Sequence, residues 1–103
     1  MSTRATILIE SVKDNERVRI YHHHDGYLEG VGEFLREFLK DIGKYWSVEE
    51  IVNRLIKHKE DRGYEYTSCV HGDEEYFYLI DCDNEKLKYA QEENSKTLQE
   101  IVL

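Results

Sequence analysis

The sequence predicts a two-layer α+β fold, an antiparallel sheet of four to five strands carrying two helices on one face in the order ββααβββ. Three observations lead there. Apolar residues alternate with period two at the start of the chain, fall at helical spacing in its middle, and alternate again after residue 63. The chain has 103 residues, enough for a single domain over residues 1–103 and too few for a barrel of eight βα units or a dinucleotide-binding fold. Each helical stretch has one apolar stripe, which neither helix can bury alone, so both are expected against the same sheet.

Residues 4–12 read as the first strand, with Ala5, Ile7 and Ile9 on one face and Thr6, Leu8 and Glu10 on the other. Lys13, Asp14, Asn15 and Glu16 make a polar turn. Residues 17–24 follow as a second strand, Val18 and Ile20 on one side and Arg19 and Tyr21 on the other. Gly26, Gly30 and Gly32 then crowd into seven residues of a chain that has six glycines and no proline, and they mark a loop. Phe34, Leu35, Phe38, Leu39 and Ile42 recur as one helical stripe, which Gly43 can end.

The second helix has the clearest local signal. Ser47 can cap it, Glu50 stands three residues later to close a capping box, and Trp46 and Ile51 have the spacing of a hydrophobic staple. Val48, Ile51, Val52, Leu55 and Ile56 line its buried face, and Gly63 offers the stop. Residues 64–71 and 74–82 read as a hairpin about Gly72-Asp73, which sets Thr67 opposite Tyr78 and Cys69 opposite Tyr76. That register separates Cys69 from Cys82, so no disulfide is expected. Asp83-Asn84 turns into a strand over residues 85–90, setting Ile80 opposite Leu87 and Tyr78 opposite Tyr89. Residues 98–103 end the chain as a short helix or a docking strand.

The formal charge is -8, from 14 Lys+Arg against 22 Asp+Glu. Residues 72–103 hold 3 of the basic and 9 of the acidic residues, a net of -6. Net repulsion of phosphates argues against nucleic acid as a partner; the acidic end suits a basic protein or serves solubility. No stretch approaches the roughly 20 apolar residues of a membrane span, and no N-terminal apolar run resembles a signal peptide. With two cysteines outside any CxxC pattern, the expectation is a cytoplasmic protein without membrane contact.

No catalytic constellation is present. Ser11, Ser47, Ser68 and the cysteines lack a GxSxG or Cys–His setting, and neither the P-loop nor HExxH occurs. A binding role without a cofactor is therefore expected. His22 and His24 would share one side of a strand with Asp25 beyond them, but no further ligands stand at metal spacing, so no metal is expected. Tyr21, His22, His24, Asp25, Gly26 and Tyr27 can instead shape a polar pocket. Gly30 and Gly32 lead into a helix N-terminus, whose backbone N–H groups suit a small anionic ligand. Tyr64, Tyr66 and Tyr76, with Tyr78 and Tyr89, give the C-terminal sheet an aromatic surface for a protein partner or a small ligand, or, in a homo-oligomer, for a second copy of the chain.

Thr3-Arg4-Ala5-Thr6-Ile7, Ile20-Tyr21-His22, Asp25-Gly26-Tyr27, Gly30-Val31-Gly32 and the helix with Phe38-Leu39 together resemble a group of small uncharacterised proteins from bacteria and their phages. The similarity extends to His71-Gly72-Asp73 and the tyrosine-rich strand after it. In that group the Asp-Gly-Tyr loop is commonly followed by proline, where this chain has Leu28. The resemblance implies a phage or prophage setting and an accessory protein acting on host machinery; the acidic C-terminal third, the tyrosine-rich sheet and the lack of a catalytic constellation make the expectation a non-enzymatic binding protein that sequesters or inhibits a host component. It assigns no chemistry to any residue. The competing expectations are a small-molecule or nucleotide binder using the 21–32 region and a structural homo-oligomer.

Overall fold

Ala5-Thr6-Ile7-Leu8-Ile9 is rich in β-branched residues and apolar on both faces, and it becomes the middle of a sheet. The computed structural model describes residues 4–22, 28–56, 64–67, 76–91 and 98–102. Six strands, β1 (Ala5–Ser11), β2 (Glu16–His22), β3 (Tyr64–Thr67), β4 (Tyr76–Asp81), β5 (Lys86–Ala90) and β6 (Gln99–Ile101), form one sheet in the order β3-β2-β1-β4-β5-β6. A π-helical turn, Leu28–Gly32, runs directly into α1 (Glu33–Ile42), and α2 (Val48–Ile56) follows.

The α+β class and the two helices stand as the sequence predicts, and the sheet differs in detail. It is mixed rather than wholly antiparallel, and β6 makes it six strands. β1 and β4 run parallel, Ala5 beside Tyr76 and Glu10 beside Asp81. The Tyr76 N–H to Arg4 carbonyl bond (3.3 Å) and the Cys82 N–H to Glu10 carbonyl bond (2.9 Å) bracket the pair. The expected hairpin of residues 64–71 with 74–82 is corrected: β3 pairs antiparallel with β2, Ile20 beside Tyr66, and is separated from β4 by two strands. The physical reason lies in β4. Tyr78 and Ile80 are buried on one face and Phe77 on the other, and a strand apolar on both faces belongs at the centre of a sheet. Cys69 and the Gly72-Asp73 turn lie outside the described residues. The β4–β5 register is as expected, Ile80 opposite Leu87 and Tyr78 opposite Tyr89.

Both helices cover the face of Ala5, Ile7 and Ile9. Leu35 and Leu39 from α1 and Val48, Ile51, Val52 and Leu55 from α2 join them in one core with Ile20, Tyr78, Ile80 and Leu87. Local chemistry sets each helix end. Gly43, at φ +83, turns out of α1 while its N–H still reaches the Leu39 carbonyl. The Ser47 hydroxyl accepts the Glu50 N–H at 3.1 Å, and the Glu50 carboxylate pairs with Arg54 at 2.9 Å rather than turning back to the cap.

The opposite face is not open either. Tyr21, Thr6, Phe77 and Ala90 form one row across β2, β1, β4 and β5, and none exceeds 7 % exposure. Among the described residues, the Thr6 hydroxyl in that row finds no hydrogen-bond partner. Leaving a buried hydroxyl unmade costs about 1–3 kcal/mol, and valine has nearly the same shape. Thr6→Val is therefore expected to raise the unfolding free energy by about 1 kcal/mol in urea titrations. A loss of stability would show that the hydroxyl is satisfied.

Candidate functional site

Strand direction gathers three connections at one end of the sheet. Because β1 and β4 are parallel, the β1–β2 turn (12–15) and the β4–β5 turn (82–85) lie side by side. Each ends in a non-glycine residue with positive φ, Asn15 at +55 and Glu85 at +54. In the second turn the Asp81 carboxylate accepts the N–H groups of Asp83 (3.2 Å) and Asn84 (3.3 Å) and the Asn84 amide (2.8 Å), an Asx-type turn.

Asp83 laces the two turns together. Its carboxylate accepts the Ser11 hydroxyl at 2.7 Å and the Lys13 N–H at 3.0 Å, and the Ser11 oxygen accepts the Asp14 N–H at 3.2 Å. These bonds, first from the Lys13 backbone and then from Ser11, hold the Asp83 carboxyl below its ordinary 3.8. A depressed acid stabilises the fold above its unfolded pKa, and that contribution disappears as pH falls through the folded value. Between pH 5 and pH 2, wild type is thus expected to lose more stability than Asp83→Asn. Parallel curves in denaturant titrations would sever Asp83 from the turns. Neighbouring Cys82 is inert by contrast: burial first, then Asp81 and Asp83, push its thiol up to about 12.

The third connection joins α1 to α2 and contains Tyr45. Its backbone N–H donates to the Glu85 carboxylate at 2.7 Å, which fixes the connection to the β4–β5 turn. Tyr45 has φ +63, a left-handed backbone that side chains with a Cβ adopt at a cost. The consequence is a parting of two adjacent aromatics. Trp46 is 8 % exposed, packs in the core and donates its indole N–H to the Gly43 carbonyl at 2.8 Å, while Tyr45 is 86 % exposed. Val12, in the β1–β2 turn, is exposed as well.

The sequence-predicted residues that the structure describes lie away from these turns, most of them toward the other end of the sheet. Tyr21 is buried on the face away from the helices. His22 closes β2, paired in register with Ala5 and Tyr64, and Ala5 in turn with Tyr76; Tyr64, His22 and Tyr76 thus share one row. His24, Asp25, Gly26 and Tyr27 lie outside the described residues. Gly30 and Gly32 stand in the π-helical turn, and the Gly32 N–H bonds the Tyr78 phenol. A Cβ on Gly32 would sit 3.3 Å from the Tyr78 oxygen, so this glycine lets the helix rest on the ring. Desolvation is the main reason the Tyr78 phenol is raised well above 10.0. Tyr76 is half-buried and stacks on Tyr78, ring centres 6.3 Å apart. The Tyr89 hydroxyl donates to Gln99 at 2.6 Å. Tyr66 pairs with Ile20 in register.

Sequence reasoning missed Tyr45. The available signal was its position between Gly43 and the Ser47 cap, outside the apolar stripe of either helix. Among the described residues no group of three His, Cys, Asp or Glu side chains converges on a metal site, and no helix is long and apolar enough to cross a membrane. No protein-family model, curated protein or solved structure matches the chain.

Proposed function

We propose that this chain is a non-enzymatic binding protein that engages another protein through Tyr45 and, in a phage or prophage setting, sequesters or inhibits a host component. The observation that carries the reading is the presentation of Tyr45: a side chain 86 % exposed on a left-handed backbone tied down by Glu85. An exposed tyrosine on a fixed backbone loses little conformational freedom on binding and brings a large amphipathic surface, which is why tyrosines dominate many interface energies. Backbone strain is retained where a function keeps it. The acidic residues in the adjoining turn, Asp81, Asp83 and Glu85, add a charge preference for a basic partner surface.

The test is capture from bacterial lysate on immobilised wild type and Tyr45→Ala, read by quantitative mass spectrometry. One protein retained by wild type and depleted on the variant is expected. Identical retention on both supports would remove Tyr45 from the interface. A rise in mass with concentration in sedimentation experiments, abolished by Tyr45→Ala, would assign Tyr45 to self-association and overturn the host-partner reading.

A further inference from the structure

Three depressions border the β1–β2 hairpin, the β2–α2 contact and α2, and neighbouring ones share lining residues. The first, about 140 Å3, lies on the β1–β2 hairpin and includes Val12 and Glu16. The second, about 280 Å3, lies between β2 and α2, where Val18, Val48 and Val52 are flanked by Glu16, Glu49 and Asn53. The third, about 370 Å3, continues from Glu49 and Asn53 over the outer side of α2 to Glu50 and Arg54. Glu16 links the first to the second, and Glu49 with Asn53 links the second to the third. Of the three, the middle depression is the one lined by three apolar side chains, Val18, Val48 and Val52, and it falls just below the roughly 300–1,000 Å3 of small-molecule pockets.

Charge selects the occupant. Glu10 is paired with Arg17 and Glu50 with Arg54. Among the described residues, Glu16 and Glu49, which both border the middle groove, make no ion pair and no side-chain hydrogen bond. Glu49 is tolerated in the first turn of α2, where the helix dipole favours a carboxylate. Glu16 begins β2 beside the turn, on the same side of the sheet as Val18. Two unpaired carboxylates bordering a valine-lined groove complement a segment that places an apolar side chain between basic ones.

We propose that the β2–α2 groove binds an extended segment of a partner protein, an apolar residue seated near Val18, Val48 and Val52 and flanking Lys or Arg residues paired with Glu16 and Glu49. The proposal rests on the protein-binding reading above and adds the chemistry of the bound segment; its site is separate from Tyr45, so the two fail separately.

The experiment is selection of a displayed library of random 10-residue peptides on the wild-type protein, followed by calorimetry of the enriched peptides with wild type, Glu16→Gln/Glu49→Gln and Tyr45→Ala. Enrichment of Lys or Arg on either side of an apolar residue is expected. Affinity should fall roughly tenfold on the double variant and weaken with added salt. Both carboxylates are exposed, so the double variant is expected to fold, as circular dichroism will verify. No enrichment, enriched peptides without excess basic residues, or affinity unchanged by the double variant would each overturn the groove assignment. Peptides sensitive to Tyr45→Ala alone would overturn it while leaving the Tyr45 reading in place.

Discussion

Leu35→Ala is expected to lower the unfolding free energy by about 2–5 kcal/mol. Leu35 is wholly buried on α1, in one core with Ile7, Ile9, Ile20, Tyr78, Ile80 and the apolar face of α2. Truncation removes its transfer energy and leaves a cavity between two layers that cannot close together freely. A domain of this length has a total stability of about 5–15 kcal/mol, so the variant is left marginal, with Tm lower by at least ~10 °C. Leu35→Met, which keeps the volume, is expected to cost less than about 1.5 kcal/mol. If both variants melt within a degree or two of wild type, α1 does not rest on this sheet face.

Tyr45→Gly is expected to act in the opposite sense on stability and to weaken binding strongly. Relief of a left-handed side-chain-bearing residue is worth about 1–2 kcal/mol, and the added freedom of glycine in the unfolded chain takes back about 0.5–1 kcal/mol. The exposed phenol contributes no packing to offset this, and the Tyr45 N–H to Glu85 bond is a backbone bond that survives the change. A net gain of roughly 0.5–1 kcal/mol follows, measurable in denaturant titrations. Affinity for the captured partner should fall by about 2 kcal/mol or more, the scale of a hot-spot tyrosine. A more stable protein that binds far more weakly is the signature of strain kept for recognition. A less stable variant with intact binding would make Tyr45 a structural residue.

What the sequence disclosed and what it withheld divide along the range of the interactions. The helices were legible because their signals are local: Leu35 and Leu39 recur on one face, Gly43 ends α1, and Ser47 caps α2 through the Glu50 N–H. The β4–β5 register was legible for the same reason, since one short turn sets it. Sheet order was not. Placing β3 beside β2 and β4 beside β1 depends on which strands are apolar on both sides, and the weight of Phe77 and Leu79 opposite Tyr78 and Ile80 was the overlooked clue. Tyr45 was hidden for a related reason. Its exposure follows from a positive φ in the α1–α2 connection and from a bond to Glu85, forty residues away in sequence. Tyrosine abundance pointed instead to the strands, where Tyr78 is wholly buried and Tyr76 and Tyr89 pack against the core.

Photo-crosslinking from position 45 tests the central claim most directly. A benzoylphenylalanine installed in place of Tyr45 occupies the same exposed position, and one installed in place of exposed Gln91, just beyond β5 at the end of the sheet away from the turns, serves as the control. Irradiation in bacterial lysate is expected to join position 45, and not position 91, to one discrete protein. No adduct at position 45, or the same set of adducts from both positions, would contradict the assignment of this end of the sheet as the binding end.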